Sequence, residues 1–125
     1  MSVPPQHPTR SMRSERARGA LRDIRHHIDL ATRFIEGFDR DTFKSDIRAV
    51  YAVTRCLEII SEASRRLPDE LKARHPGISW KQMAAAGNVY RHDYEDVAAQ
   101  LVWDTVQQAL PPLRAVIEEE LNNPR

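Results

Sequence analysis

The sequence holds a single cysteine, four glycines and an aromatic share of only 6% across 125 residues. Cys56 alone can close no internal disulfide and build no thiolate cage, so nothing points to an oxidising compartment. The glycines form no phosphate-cradling loop, and there is no nucleophile elbow. No run of about 18 apolar residues occurs, and the opening residues, with Pro4, Pro5 and Pro8 among arginines, lack the apolar stretch of a signal peptide. The expectation is a cytoplasmic chain that neither spans a membrane nor leaves by the usual export route. Charge of one sign is missing too: 19 Lys plus Arg face 18 Asp plus Glu, a net charge of +1. That balance excludes a globally basic wrapper of duplex nucleic acid, so any nucleic-acid contact must be local. Outside the tail, His26, His27, His75 and His92 include no pair at i, i+4 beside an acid, so neither a metal nor a cofactor is expected.

Length and composition leave room for one helix-rich domain. Its charges are unevenly placed. Residues 1–25 carry six arginines against Glu15 and Asp23, whereas residues 93–125 carry seven acids against Arg114 and Arg125. A basic arm of this kind either touches a phosphate backbone or partner, or is simply solvated. Residues 1–14 read as a mobile basic tail and residues 15–122 as the domain.

Apolar residues then recur in steps of three and four. The first stripe, Leu21, Ile24, Ile28, Ala31, Ile35 and Phe38, predicts a helix ending near Gly37. Asp39 or Asp41 can cap a long second helix carrying Phe43, Ile47, Val50, Thr54, Leu57, Ile60 and Ala63, which ends where Leu67 meets Pro68. Pro68 suits the first turn of a short helix over residues 69–74. Ser79 and Gln82 have capping-box spacing at the head of a helix over residues 79–94. A final helix carries Val102, Val106, Leu110, Leu113, Ile117 and Leu121, with Pro111 and Pro112 kinking or restarting it. No strand-like alternation or hairpin dipeptide interrupts the series. The fold class is all-α, a bundle of four principal helices plus a short connecting helix.

One cluster concentrates chemistry. Residues 87–94 bring Asn88, Tyr90, Arg91, His92 and Tyr94 within two turns, and on an α-helix Asn88 and His92 are neighbours while Arg91 follows Gly87 on an adjacent stripe. A guanidinium grips a phosphate through paired donors, and a histidine with pKa near about 6.5 moves protons at neutral pH. Together they suit metal-free cleavage of a phosphodiester. The bland alternative is a helix C-terminus whose dipole Arg91 and His92 complement.

Four ordered blocks weigh against the bland reading. They are residues 57–68, from Leu57-Glu58-Ile59-Ile60 to Leu67-Pro68; residues 78–84, with Ser79-Trp80-Lys81-Gln82; His92-Asp93-Tyr94; and Val102-Trp103-Asp104 followed by Leu110-Pro111-Pro112-Leu113. In order and spacing they resemble the HepT-like branch of the HEPN-domain toxins. The resemblance implies an up-and-down helical bundle that forms a homodimer, with a cleft lined by an R-x-x-x-x-H-x-Y motif from both copies. It also implies a metal-independent endoribonuclease acting on RNA, with Arg91 and His92 catalytic and Asn88 and Tyr94 as RNA-contacting or supporting residues. A cognate nucleotidyltransferase antitoxin would transfer AMP to Tyr94, adding charge and bulk at the cleft. The sequence departs from the motif at one point: Gly87 stands where the family arginine would. Arg91, one turn on, can relocate that charge; otherwise the chain is a catalytically degenerate dimer that binds its nucleotidyltransferase partner.

Other residues carry two readings each. Glu58 and Glu62 either orient Arg91 or His92, or pair with Arg55, Arg65 or Arg66 on the surface. Arg48 and Arg55 either line an RNA cleft or sit on a solvated face. Asp23 and His27 read as a surface ion pair, Trp80 and Trp103 as core or interface anchors, and Cys56 as a buried filler.

Overall fold

The computed structural model describes residues 10–91 and 95–123. Its α-helices are α1 (Arg10–Phe34), α2 (Arg40–Ser45), α3 (Ile47–Arg65), α4 (Asp69–Ala73), α5 (Trp80–Ala85), α6 (Glu95–Gln108) and α7 (Leu110–Leu121), with a 3-10 segment, Ala86–Arg91, between α5 and α6. No strand occurs among the described residues, and no helix among them is long and apolar enough to cross a membrane. Four helices of 12 or more residues, α1, α3, α6 and α7, form the all-α bundle the patterning predicts.

The predicted stripes supply most of the core, except that Ile47, expected on the buried face of the second helix, is 53% exposed because it opens α3 at its first turn. Leu21, Ile24, Ile28 and Ala31 of α1 meet Val50, Val53, Leu57 and Ile60 of α3 and Leu113 and Ile117 of α7 in one buried cluster. α1 begins at Arg10, five residues ahead of the boundary read from sequence, and ends at Phe34. The chain reverses through Gly37 at φ 83°, a left-handed conformation that a side chain disfavours.

Asp39 is the residue that caps α2. Its carboxylate accepts from the Thr42 amide at 2.8 Å while Thr42 Oγ1 accepts from the Asp39 amide at 2.9 Å. The expected long second helix is divided at Asp46, because that side chain accepts from the Ala49 amide at 3.0 Å and holds its own backbone extended at φ −101°, ψ 97°. A short acceptor competing with the helical backbone starts a new helix rather than prolonging the old one. Phe43 therefore reaches the core from α2, fully buried, with its ring centroid 6.3 Å from Phe38 and 5.4 Å from Trp103.

Two further expectations are corrected. Pro68 is the N-cap of α4, extended at ψ 149°, rather than part of its first turn. The Ser79 and Gln82 capping box does not form: Ser79 makes no side-chain cap bond, and its ψ of 83° goes with a Trp80 amide bonded to Ile78 O. The Trp80 indole Nε1–H donates to Lys72 O and His75 O, both at 3.1 Å, so tertiary anchoring to the end of α4 sets how α5 begins. Pro111 and Pro112 act as predicted and restart the chain: α6 ends at Gln108 and α7 begins at Leu110.

Some of the charge at the two ends is used internally. Arg18 Nη2 donates to Leu121 O at 3.0 Å, capping α7, and Arg25 pairs with Glu118 at 3.2 Å. Arg114 holds Asp29 through two bonds of 2.7 and 3.2 Å.

Among the described residues one buried side-chain polar atom lacks a partner, Thr54 Oγ1 on α3. Thr54→Val keeps the shape and removes the unpaired hydroxyl. Thermal unfolding should show unchanged or improved stability, by up to about 1 kcal/mol. A loss of stability would mean that the hydroxyl has a partner in solution.

Candidate functional site

α5 and the 3-10 segment lead into the His92 motif, and both dock on α3. Two side chains of α3 grip the end of α5. Ser61, 1% exposed, donates its hydroxyl to Ala84 O at 2.5 Å, and Arg65 Nη2 donates to the same carbonyl at 2.6 Å and to Ser61 Oγ at 3.2 Å. These satisfy a carbonyl at a helix end that would otherwise lack a donor.

Gly87 follows at once. A Cβ built on it would lie 3.0 Å from the Glu58 Cα, 3.3 Å from Ser61 Cβ and 3.4 Å from Ser61 Oγ. The nearest of these is backbone, so it cannot swing away. The need for glycine here is steric, arising from the close approach of two backbones. Gly87→Ala should cost about 1–3 kcal/mol through overpacking. Gly87→Arg, which would restore the motif arginine, should unfold at a still lower temperature and gain no cleavage. A Gly87→Arg protein with wild-type stability and raised activity would show that the segment has room.

Over its described part, up to Arg91, the expected continuous helix of residues 79–94 is instead α5 followed by the 3-10 segment. The change matters for register. A 3-10 helix has three residues per turn and eclipses positions i and i+3. Backbone position 91 is therefore in register with Asn88 rather than with Gly87, as an α-helical stripe would have placed it. Asn88 is exposed. His92, Asp93 and Tyr94, with the side chains of Tyr90 and Arg91, lie outside the described residues.

The flanking charges resolve individually. Glu58 pairs with Arg55 at 3.2 Å on the surface. Arg66 pairs with Asp23 at 3.0 Å, while His27 Nδ1 lies 2.7 Å from the Asp23 backbone oxygen, so the expected Asp23 and His27 ion pair is not formed. The carboxylate has the stronger cation across the helix interface instead. Trp80 and Trp103 are partly buried against the core, and Cys56 is buried, which pushes its thiol pKa up. No group of three metal-ligating side chains occurs among the described residues.

One polar cluster was missed from sequence. Glu120, 6% exposed, accepts from Arg74 Nε at 3.2 Å and Nη2 at 2.8 Å, and its other contact is His75 Nε2 at 2.6 Å. The Arg74 hydrogen bonds chiefly, with His75 adding to them, hold this carboxylate below its ordinary pKa despite burial. The signal was present: Glu120 falls three residues after Ile117 on the buried stripe of α7.

Comparison with known proteins bears on the whole assembly of helices. Residues 24–120 match the family described as HepT-like, ribonuclease HepT-like. A Thermococcus cleftensis protein named "Probable ribonuclease HepT" is 35% identical over 99 residues, covering 79% of this chain and 90% of its own. A "Putative RNase" of Methanocaldococcus jannaschii is 30% identical, covering 79% and 85%, and one of Caldanaerobacter subterraneus is 29% identical, covering 81% and 90%. No solved structure matches. The matched span runs from the buried stripe of α1 through the α3 dock and the motif to Glu120, so the chain belongs to the HepT-like ribonuclease family.

Proposed function

We propose that this protein is a metal-independent endoribonuclease that acts as a cytoplasmic homodimer and serves as the toxin of a toxin-antitoxin pair. The observation that carries the reading is the family match over residues 24–120, which spans Asn88, Arg91, His92 and Tyr94 together. His92 takes the proton of a ribose 2′-hydroxyl as the 2′-oxygen bonds to phosphorus. The bond from phosphorus to the 5′-oxygen breaks, and a proton is returned to that leaving oxygen. Arg91 offsets charge on the phosphate, and Asn88 and Tyr94 hold the RNA.

The dimer reading is supported by apolar side chains left at the surface of two adjacent helices: Ile47 and Tyr51 on α3 are 53% and 54% exposed, and Val97 and Leu101 on α6 are 46% and 40% exposed. Exposed apolar side chains on neighbouring helices suit burial against a second copy of the chain. The partner is a nucleotidyltransferase that silences the toxin by transferring AMP to Tyr94. One observation favours a second reading, a binding module without activity: glycine stands at the motif arginine's position, and a Cβ there would meet the Glu58 Cα at 3.0 Å.

The test is cleavage of a small structured RNA by protein prepared without its partner, in EDTA, with intact mass showing Tyr94 unmodified. Cleavage supports the enzyme. No cleavage by unmodified protein on several RNAs sinks it in favour of the binding module. Addition of the partner and ATP should add the mass of one AMP per chain, lost in Tyr94→Phe.

A further inference from the structure

Ala84, Ala85, Ala86, Gly87 and Asn88 follow one another where α5 gives way to the 3-10 segment. Three methyl groups, a glycine and an exposed amide bring little apolar surface to bury. Glycine also surrenders the most backbone freedom when it is held in a helix. Local helix formation does not compensate, since α5 has six residues and no side-chain cap at Ser79, and so short a helix is unstable by itself. What keeps this stretch in place comes from its surroundings.

On the near side it is tied to the core. Met83 is 5% exposed within the buried cluster, and the Trp80 indole is bonded to the end of α4. On the far side Ala98 and Ala99, both buried, seat α6. Between these ties, the contacts of residues 84–88 with Glu58, Ser61 and Arg65 of α3 are polar or made by backbone: the Ser61 hydroxyl and the Arg65 guanidinium on Ala84 O, and the approach of Gly87 to the Glu58 Cα. Parting them wets Glu58, Ser61 and Arg65, groups that water solvates well. It leaves in place Val53, Leu57 and Ile60, which α3 buries in the core.

We infer that residues 84–91 form a strap that opens from α3 as a unit while the helical bundle stays folded, with Arg65 as its clasp. Arg65 makes the strongest of these ties because its donor is charged, and such a hydrogen bond is roughly twice as strong as a neutral one. Its side chain lies at the surface, so the opened guanidinium is solvated at once. Asn88 and the backbone of position 91 ride on the strap, and opening carries both away from α3. This is a property of the fold and stands whether or not the ribonuclease reading does.

The experiment is hydrogen exchange of the full chain in urea below the unfolding transition, comparing wild type with Arg65→Ala, Arg65→Lys and Ile117→Val. Thermal unfolding checks that each variant folds. Wild-type amides of residues 84–91 should exchange at least about tenfold faster than those of residues 53–61, and with a weaker urea dependence, the mark of an opening that exposes little surface. Ile117→Val weakens the bundle at α7, where Ile117 is fully buried. Amides of α3 should then exchange about 2- to 10-fold faster, the usual cost of that substitution, while the strap amides keep their wild-type rate. Arg65→Ala leaves Ser61 as the remaining side-chain donor to Ala84 O and should speed strap exchange about tenfold, with Arg65→Lys recovering part of the loss.

Strap amides that share the urea dependence of α3 and speed up in Ile117→Val would show that residues 84–91 unfold only with the bundle, which overturns the inference. Strap exchange in Arg65→Ala within twofold of wild type would remove Arg65 as the clasp.

Discussion

His92→Ala is expected to lower kcat/KM for RNA cleavage by about 10²–10⁴-fold, the usual contribution of a positioned general acid or base. The argument is chemical. Without a metal, a 2′-hydroxyl is a poor nucleophile near neutral pH, and His92 is the one residue of the cluster whose ordinary pKa near about 6.5 lets it both take and give a proton there. Asn88 cannot do so, and Arg91 stays protonated throughout. Any limb of the wild-type pH profile that belongs to His92 should be missing from whatever activity remains in His92→Ala. Binding of a 2′-O-methyl analogue of the RNA, which cannot be cut, separates the roles: a proton carrier lost to alanine leaves affinity nearly intact, whereas a pure RNA contact would lose affinity and rate together. Full activity in His92→Ala would remove the catalytic assignment from this motif.

The second large effect is on stability. Glu120→Ala should destabilise the fold by about 2–4 kcal/mol, approaching the cost of breaking a buried ion pair but limited because Arg74 remains partly exposed and can turn to water. For a domain of this size that is a fall in Tm of roughly 10–20 °C. The carboxylate joins α7 to the end of α4 through Arg74 and His75, so its removal also frees the α4 turn that anchors Trp80. The pH dependence has a definite sign. Glu120 has its folded pKa below the ordinary 4.5, mainly through the Arg74 hydrogen bonds. Its stabilisation is complete above about pH 4.5 and disappears as pH falls through the lower folded value. Asp29, lowered chiefly by its Arg114 hydrogen bond, acts in the same direction below its ordinary 3.8. Wild type should therefore lose stability in acid more steeply than Glu120→Gln, and equal slopes in urea titrations across that range would show that Glu120 is not the group responsible.

These two sites were legible to different degrees. His92 and Tyr94 stand out in sequence because ordered blocks on both sides frame them, yet their surroundings depend on how α5 ends and the 3-10 segment begins. Residue types alone suggest a helix running on through Gly87. The Ser61 and Arg65 bonds to Ala84 O, made from another helix, set where α5 stops. Glu120 carried a usable signal, a charge on a buried stripe, but its partners lie 45 and 46 positions away.

By itself the sequence determined the helical class, most of the stripes that make the core, the end of the first helix near Gly37 and a break at Pro111 and Pro112. Each depends on residues within one or two turns, where helical periodicity and backbone chemistry act locally. The tertiary structure decided the rest: Asp46 as the divide between α2 and α3, Trp80 rather than Ser79 as the anchor of α5, Arg66 rather than His27 as the partner of the Asp23 carboxylate, and Gly87 as a close contact with the α3 backbone. In the last three the deciding atom belongs to another helix, and a pattern read along one chain segment does not contain what packs across from it.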